Sequence, residues 1–482
     1  MRIAIIYPPL PSTKGVPLLS QNRQFQWFNR ATYIYPVVPA YAATMLKEAG
    51  HEIAWLDGIA SEWSPEEFER ELVTFNPELV VLETKTPVVK AHWQLIRKYK
   101  TLWPAMDIVM VGDHVTALPE ESFCEAPVDY ILTGGDYDFL LLNLIQHLKQ
   151  GVALEPGIWW RDVNGIHNSG KFQLNHNLNT LPLIDRELTQ WHLYAEKNGN
   201  FRRTPGTYIM AGRDCWHGKC TFCSWTTLYP TYRVRDPIKV VDEIGYLIDN
   251  FKIREIMDDT GCFPAGEWLR TFCREMIARG YHKKIRIDCN MRFGKLTPED
   301  ARLMRRAGFR LVLFGLESAN QSTLDRLEKG LKVADIADGA KAAAAAGLDV
   351  HVTVMFGYPW EGKDEIENTV KLARDLLRKG YAYTLQVTMM IPYPGTPLFR
   401  ELRENGQLLS HDWDDYDMRT AVIKTPVSEA EIKDAIRRVY RAFLLPETIV
   451  RRLLSTRDPI GDLAFYWRGF RSLLGHLRDF KK

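Results

Sequence analysis

Long apolar runs are absent from this sequence. No stretch reaches the roughly 18 uncharged apolar residues that a membrane-spanning helix needs. The apolar run after Arg2 stops at Pro8, so it is too short for a signal peptide and indicates a first buried strand. We therefore expect a cytoplasmic protein.

Two common functional motifs are also absent. No GxGxxG follows the first predicted strand, which makes a dinucleotide a poor candidate ligand for the N-terminal half. No G-x-S-x-G elbow occurs anywhere, which disfavours an acyl-transfer hydrolase. The formal net charge is only +2, so bulk electrostatics give no reason to expect a nucleic-acid partner.

Cysteine is scarce and unevenly placed. The chain has seven cysteines, and three of them lie within the nine residues 215–223. An odd number with one tight group is typical of a metal site in a reducing compartment and not of a disulfide framework. The spacing is C-x4-C-x2-C, formed by Cys215, Cys220 and Cys223.

These three thiolates can bind three irons of a [4Fe–4S] cluster and leave the fourth iron without a protein thiolate. A chelating cofactor can then occupy that iron. The alternative is zinc, with His217 completing a tetrahedral Cys3His set.

The N-terminal third shows short apolar runs that alternate with helix-like segments, and a chain of 482 residues suits two or three domains. Such alternation predicts a parallel sheet covered on both faces, with a ligand beyond the carboxyl ends of its strands. The predicted strands are 3–7, 52–56, 79–82, 108–111 and 130–132, and the predicted helices are 40–48, 65–75, 89–102 and 137–149. The Gly-rich loops at the strand ends either approach such a ligand closely or merely turn the chain.

A second alternation begins near residue 207 and is typical of a β/α barrel, whose active site lies at the carboxyl ends of its strands. Six strands are predicted, at 207–210, 254–257, 284–288, 310–314, 350–356 and 385–389. Polar residues follow them in order. Between the two halves, residues 151–200 read as a linker with a small hairpin that turns at Asn164-Gly165.

The cysteine loop and the barrel segments together resemble the cobalamin-binding radical SAM enzymes. The family's CxxxCxxC is here one residue longer, and its DDxF pattern is interrupted by an insertion. Its CNxR, GxES, G-[YL]-P-x-E and PGTPL patterns follow in the family's order. The residues that match these motifs are Asp258, Asp259, Phe263, Cys289, Asn290, Arg292, Glu317, Ser318, Lys329, Gly357, Tyr358, Pro359, Glu361 and the run 394–398.

The N-terminal half joins this resemblance through the run 112–120, which is similar to the family's GGxHxTxxPE loop with Asp113 in place of the second glycine. The chain lacks the DxHxxG motif that ligates cobalt through histidine in methionine-synthase-like domains. The resemblance therefore implies cobalamin in a base-off state without that histidine ligand. It places five residues at the cobalamin: Gly112, Asp113, His114, Thr116 and Gly134. His114 is either a cobalt contact or a solvated loop residue.

The resemblance implies an α/β fold: a Rossmann-like doubly wound sheet over 1–150, the linker, a partial (β/α)6 barrel over 201–400, and a helical basic region over 401–482. It implies a [4Fe–4S] cluster on the three cysteines. S-adenosylmethionine (SAM) would lie near Phe222 and contact Asp259, Arg292 and Glu317, which otherwise form structural ion pairs. Cys262, Cys273 and Cys289 are expected to be buried residues without a ligand role.

Reductive cleavage of SAM generates a deoxyadenosyl radical, and cobalamin can carry a methyl group to the resulting carbon radical. The leading functional hypothesis is thus methylation of an unactivated carbon of a hydrophobic or natural-product-like substrate. Radical cyclisation or ring rearrangement is the alternative within the class, and a non-catalytic cobalamin- or zinc-binding sensor is the alternative outside it. The resemblance implies an electron donor such as a flavodoxin or ferredoxin, but names no catalytic residue.

The C-terminal region leaves two interpretations open. From Lys433 onward it carries 12 Lys and Arg against 5 Asp and Glu, and a helix is predicted over 432–445 with Pro446 as its end. The run 465–471 mixes aromatic and cationic residues. It is either a helical cap with a solvated basic face or a surface that lies on a membrane, with a lipid as substrate.

Overall fold

The chain folds around two parallel β-sheets, one in each half. The computed structural model describes residues 1–19, 26–28, 32–198, 201–213, 215–455, 462, 465, 467 and 469. The predicted α/β architecture, a Rossmann-like sheet followed by a six-stranded partial barrel, is confirmed.

The strands of the N-terminal half are β1 (Arg2–Tyr7), β2 (Val16–Leu18), β3 (Gln26–Phe28), β4 (Glu52–Asp57), β5 (Leu79–Thr84), β6 (Asp107–Gly112), β7 (Tyr130–Leu132), β8 (Ile158–Asp162) and β9 (Gly165–Asn168). The helices of this half and of the connection are α1 (Val37–Glu48), α2 (Pro65–Phe75), α3 (Val89–Leu102), α4 (Asp113–Ala117), α5 (Pro119–Glu125), α6 (Tyr137–Gln150) and α7 (His192–Ala195).

The first sheet has the strand order β4-β1-β5-β6-β7-β8-β9. Its first five strands are parallel and nearly fully buried because helices cover both faces. The β8–β9 hairpin turns at Val163-Asn164, with Asp162 paired to Gly165, and β8 pairs antiparallel with β7. The hairpin was expected to belong to a separate linker. It instead forms the edge of the first sheet, because the backbone of β8 hydrogen-bonds to β7.

The second half contains the strands β10 (Gly206–Ile209), β11 (Gly212–Arg213), β12 (Arg233–Val234), β13 (Glu255–Asp258), β14 (Arg286–Met291), β15 (Phe309–Glu317), β16 (Asp349–Phe356) and β17 (Thr384–Met389). Its helices are α8 (Trp225–Leu228), α9 (Pro237–Phe251), α10 (Glu267–Ala278), α11 (Pro298–Arg306), α12 (Gln321–Arg326), α13 (Val333–Ala345), α14 (Lys363–Arg378), α15 (Pro397–Glu404), α16 (Glu429–Arg441) and α17 (Pro446–Ser455).

Six of these strands form one parallel sheet in the order β10-β13-β14-β15-β16-β17. The largest apolar core lies between this sheet and helices α9 to α14 and α16. The two-stranded ribbon of β11 and β12 stands directly before and after the cysteine loop. Parallel strands bring all their carboxyl ends to one rim, so the loops with polar residues meet there.

The region after residue 400 is helical only in part. A stretch without helix other than a 3-10 turn at Trp413–Asp415 separates α15 from α16, and Leu408 pairs with Ile423 there. Pro446 begins α17, where its missing N–H costs no helical hydrogen bond, while a 3-10 turn at Ala442–Leu444 follows α16.

Within the described residues, no helix combines the length and the apolar character that crossing a bilayer requires. Of the run 465–471, residues 466, 468, 470 and 471 lie outside the described residues. Phe465 lies over the guanidinium groups of Arg202 and Arg310, with both distances at 6.0 Å, and Trp467 is 60% exposed.

Candidate functional site

The cysteine loop starts at the rim of the barrel and is held at both ends. At its base, the backbone N–H of Ala211 donates to Asp258 and that of Gly212 to the hydroxyl of Thr260, at 2.7 and 2.9 Å. Near its end, Thr221 donates to the Leu327 carbonyl and accepts from the Leu398 backbone. The loop is therefore fixed by segments that follow several strands of the barrel.

Within this loop Cys215, Cys220 and Cys223 are partly exposed. The backbone N–H of Cys223 donates to the Cys220 carbonyl at 3.3 Å, which folds the C-x2-C half into a turn. The Cys262 thiol and two backbone N–H groups lower the pKa of Cys215 below its ordinary value. The Cys262 contact was not predicted from the sequence.

Two cations and a carboxylate surround the cysteines. The Arg292 guanidinium lies 3.7 Å from the sulfur of Cys220 and also donates to the Lys329 carbonyl. The Lys329 ammonium donates to Glu317 at 2.6 Å and lies 5.7 Å from the ring centroid of Phe222. The structure thus brings Phe222, Arg292 and Glu317 together at the cysteines.

Glu317 ends strand β15 with a backbone φ of 63°, in the left-handed region that non-glycine residues rarely adopt. Such backbone strain persists where the surrounding structure holds it, and it is common at functional sites. Asp259 follows β13 and its backbone N–H donates to the Ile209 carbonyl at 2.8 Å, directly before the cysteine loop. Asp259, Arg292 and Glu317 are each less than a tenth exposed.

This donor set fits an iron–sulfur cluster better than a zinc ion. Among the described residues, no three His, Cys, Asp or Glu side chains converge closely enough to bind a single metal ion. The His217 ring donates to the Glu328 carbonyl at 2.7 Å. Cysteines beside two cations suit an anionic cluster.

The residues expected at the cobalamin lie at the carboxyl edge of the first sheet. The backbone N–H of Gly134 donates to the hydroxyl of Thr116 at 3.0 Å, and this hydroxyl donates to the Gly112 carbonyl at 2.7 Å. Asp113 begins α4, and its carboxylate accepts from the backbone N–H of His114 at 2.8 Å. Residues of the run 112–120 therefore hydrogen-bond to each other and to the loop after β7.

His114 is fully buried, and not solvated as a loop histidine is expected to be. Its ring lies 6.0 Å from that of Trp93 and 5.2 Å from that of Trp413, and its nitrogens face Thr86 and Glu121. The ring is thus enclosed by α3, α5 and the 3-10 turn near residue 413, an environment that gives it a packing role.

The same sheet edge holds a buried polar cluster that the sequence did not reveal. The Tyr7 hydroxyl donates to Glu83 at 2.5 Å, while the Lys85 ammonium lies 3.7 Å from Glu83 and 3.8 Å from Asp113, beyond hydrogen-bond distance. Lys85 is 2% exposed, and within the described chain its ammonium and the Tyr137 hydroxyl have no hydrogen-bond partner. Buried polar atoms without partners are costly, so this edge fits a polar ligand such as cobalamin.

Comparisons with known proteins bear on both halves of this site. Residues 209–373 match the family model of the radical SAM superfamily, and residues 28–138 match that of the B12-binding domain. The chain belongs to the cobalamin-binding radical SAM enzymes. Members of this family use a [4Fe–4S] cluster, SAM and cobalamin.

Two curated relatives cover most of this radical SAM enzyme. An uncharacterized methyltransferase from Pyrococcus horikoshii is 26% identical over 87% of this chain and 90% of its own length. The anaerobic magnesium-protoporphyrin IX monomethyl ester cyclase of Cereibacter sphaeroides is 26% identical over 93% of this chain and 71% of its own length.

Two solved structures share the fold of the enzyme. The radical SAM methyltransferase TsrM from Kitasatospora setae, with cobalamin and a [4Fe–4S] cluster bound, has a TM-score of 0.68 at 16% identity and covers 92% of this chain and 88% of its own. The cobalamin-dependent radical enzyme OxsB, with aqua-cobalamin and SAM bound, has a TM-score of 0.72 at 15% identity and covers 98% of this chain and 71% of its own.

One functional candidate, Lys329, was not included among the cofactor-binding residues expected from the sequence. Lys329 stood in the family pattern as the lysine twelve residues after Glu317, and its ion pair with Glu317 places it at the site. Cys262 was expected to have no ligand role, and it is 1% exposed.

Proposed function

We propose that this enzyme methylates an unactivated carbon of a hydrophobic or natural-product-like small molecule. The observation that carries the proposal is the contact between the two cofactor regions. Helix α4, in the loop expected at the cobalamin, packs against α8, which follows Cys223. A Cβ atom at Gly395 would lie 2.6 Å from Thr227 of α8 and 3.0 Å from Ala117 of α4. Cobalamin and SAM at these loops would be neighbours.

When bound, the cluster supplies the electron that cleaves SAM, and cobalamin supplies the methyl group. The residues around them prepare the site for both. Cys215, Cys220 and Cys223 would hold three irons, and Arg292 and Lys329 offset the negative charge beside them. Glu317 accepts from Lys329 and presents a carboxylate to the amino group or ribose of SAM. Lys85, at the carboxyl edge of the first sheet, would donate a hydrogen bond to cobalamin.

The rim of the barrel supports a hydrophobic substrate. An apolar group joins the ends of β16 and β17 to the segment after α15, and Phe222 of the cysteine loop packs against it. Its members nearest the strand ends are Met355, Tyr358, Met390, Ile391 and Tyr393. Apolar walls exclude water from reactive intermediates and bind a substrate mainly by burial of its apolar surface.

Oxidative cyclisation is the second candidate. The cyclase from Cereibacter sphaeroides covers 93% of this chain and the methyltransferase relative covers 87%, with the same identity of 26%. In that case SAM is consumed without transfer of its methyl group to the product. The two candidates therefore differ in their by-products: both yield 5′-deoxyadenosine and methionine from the SAM that is cleaved, and only methylation also yields S-adenosylhomocysteine from the SAM that gives its methyl group.

Enzymes of this family need a reductant and a small-molecule substrate. We propose that the reductant is a small redox protein such as a flavodoxin or ferredoxin. A lipid substrate, with peripheral membrane contact through the basic C-terminal region, remains a prediction from the sequence, as does the cytoplasmic location. If the chain were instead a sensor without catalysis, it would bind its cofactors without turning over SAM.

The decisive experiment is anaerobic reconstitution with iron and sulfide, followed by addition of SAM, cobalamin and a strong reductant. We expect about four irons per chain and formation of 5′-deoxyadenosine. Cys220→Ala is expected to lower this rate at least about 100-fold because it removes a cluster ligand. Cys124→Ala changes an exposed cysteine of α5 and is the matched control. Stoichiometric zinc without iron, or SAM turnover unaffected in Cys220→Ala, would contradict the proposal.

A further inference from the structure

The segment that follows the last cysteine of the loop is anchored to that cysteine. The backbone N–H and the hydroxyl of Thr226 both donate to the Cys223 carbonyl, at 3.2 and 2.8 Å. Thr226 lies in α8, and Tyr229 directly follows this helix with its backbone N–H donating to the Trp225 carbonyl at 2.9 Å. Tyr229 is therefore held in a fixed position relative to Cys223.

The Tyr229 side chain lies against the loop that follows β7 in the first sheet. Its hydroxyl donates to the Gly135 carbonyl at 3.0 Å, and the Gly135 backbone N–H donates to the Leu228 carbonyl at 2.9 Å. Tyr229 is fully buried, and a Cβ atom at Gly135 would lie only 1.9 Å from a carbon of its ring. Glycine leaves room for the ring. The ring therefore determines how closely the two loops approach each other.

The loop after β7 is also fixed on the side of the first sheet. Gly134 is bonded through the hydroxyl of Thr116 to the run 112–120, which is expected at the cobalamin. A Cβ atom at Gly134 would lie 2.5 Å from the Phe172 ring, which packs on the same loop. The contact between the tyrosine and the glycine thus joins a segment anchored to a cluster cysteine with the loops of the expected cobalamin site.

We propose that Tyr229 is a positioning residue whose ring acts as a spacer and sets the distance between the cobalamin and the iron–sulfur cluster. The inference rests on the proposed function, because it requires both cofactors. Group transfer between bound molecules needs the reacting atoms about 3–3.5 Å apart, and a misplacement of about 1 Å can cost about 100-fold in rate. A rigid aromatic ring whose polar end is hydrogen-bonded is suited to hold such a distance.

The test measures the distance between the two cofactors by pulsed electron paramagnetic resonance. The protein is loaded with both cofactors and poised so that the cluster is reduced and the cobalt is Co(II). Gly135→Ala places a methyl group against the Tyr229 ring. Since carbon atoms in contact lie about 3.5 Å apart and the Cβ atom would approach to 1.9 Å, we expect the distance between the cofactors to change by about 1 Å or more.

Two further variants separate the spacer from other effects. Tyr229→Phe keeps the ring and is expected to leave the distance unchanged. Gly245→Ala is the matched control, because its Cβ atom would also overlap a tyrosine, with the Tyr281 hydroxyl at 2.4 Å. That tyrosine lies in the turn before β14, at the amino-terminal end of the barrel strand and away from both cofactor loops. We expect Gly245→Ala to leave the distance unchanged.

Tyr229→Leu provides a second measurement in case Gly135→Ala does not fold. It removes the ring and leaves part of the space beside Gly135 empty, so we expect a shorter distance or a broader distribution of distances. An unchanged distance in whichever of these two variants retains both cofactors would overturn the inference and leave the proposed function intact. A shift of the same size in Gly245→Ala or in Tyr229→Phe would also overturn it. Failure of the unchanged chain to bind the cluster or cobalamin would reject the proposed function itself.

Discussion

At the scale of single residues, a buried carboxyl of the first sheet couples folding to pH. Asp57 ends β4 and is 5% exposed. It accepts from the Tyr194 hydroxyl at 2.5 Å and from the Ala60 backbone at 2.8 Å, and the Trp55 indole donates to the same tyrosine. Burial raises the pKa of Asp57 from 3.8 to about 6, although these hydrogen bonds oppose the shift. The carboxyl therefore ionises at higher pH in the folded chain than in the unfolded chain.

The pH dependence of stability follows from that sign. A raised pKa means that the folded state binds more protons between about pH 4 and 6, so this contribution to stability is present at low pH and is lost as pH rises through 6. Between pH 5 and pH 7 the loss is about 1 kcal/mol. We expect Asp57→Asn to reduce the difference in unfolding free energy between these pH values by that amount, measured by urea denaturation. Asp249→Asn, which replaces an exposed carboxyl of α9, is the control. Equal pH dependence in both variants would contradict the assignment.

The residue patterns predicted some of the site and missed contacts that depend on tertiary structure. Cys215, Cys220 and Cys223 are neighbours in sequence, and Arg292 and Glu317 follow barrel strands, so topology alone places them at one rim. Cys262 influences Cys215 from 47 residues further along the chain, which no local pattern shows. His114 carries a loop motif, yet Trp413 from the other end of the chain covers it.

At the scale of elements, the turn from β6 into α4 depends on a glycine. Gly112 has a φ of +122°, and a Cβ atom there would overlap the Thr84 carbonyl oxygen at the end of β5. Gly151 ends α6 with a φ of +71°, and a Cβ atom added to it would have no neighbouring atom within 4 Å. A substitution at Gly151 therefore meets only the cost of a left-handed backbone, whereas a substitution at Gly112 meets that cost together with a steric overlap.

We expect Gly151→Ala to destabilise the protein by about 1 kcal/mol through its backbone conformation alone. Gly112→Ala adds the overlap with Thr84 and is expected to cost about 3 kcal/mol or more, because β5 and β6 would have to separate. Thermal unfolding of both variants under identical conditions measures the difference. Similar melting temperatures for the two variants would show that the β5–β6 contact can relax without cost.

Element boundaries were predicted best where the pattern was local. The helices Pro65–Phe75 and Val89–Leu102 and the strand Tyr130–Leu132 have the predicted bounds, and the other predicted strands of both sheets differ by a few residues at their ends. Short elements such as β11 and β12 carry too few residues for a period to show, and they exist because they pair with each other around the cysteine loop. The 151–200 linker was misread for a related reason: a hairpin pattern does not show that it completes a neighbouring sheet.

At the scale of the whole molecule, a buried ionic network joins the two sheets. Arg213 of β11 donates to Asp136 and Asp138 at the start of α6, each at 2.8 Å through one nitrogen, and a second nitrogen also contacts Asp138. Arg233 of β12 and His176 bond to the same Asp136. Arg213, Asp136 and Asp138 are at most 1% exposed. The ribbon around the cysteine loop is thus tied to the helix that follows Gly134-Gly135.

This network predicts how the molecule loses its structure. In Arg213→Gln, Asp136 keeps Arg233, but Asp138 loses the guanidinium that contacts both of its oxygens, and an uncompensated buried charge costs about 3–5 kcal/mol. The ion pairs that this variant loses connect the two sheets. We therefore expect calorimetry to resolve two unfolding transitions, one for each sheet, in place of one. Arg270→Gln breaks a partly exposed pair with Asp300 between two helices of the barrel half and is expected to change stability little, with the transition unsplit. If both variants unfold like the unchanged chain, the network does not carry the coupling. If Arg213→Gln unfolds at lower temperature in one transition, the sheets are joined by their apolar contacts and the ionic network adds only stability.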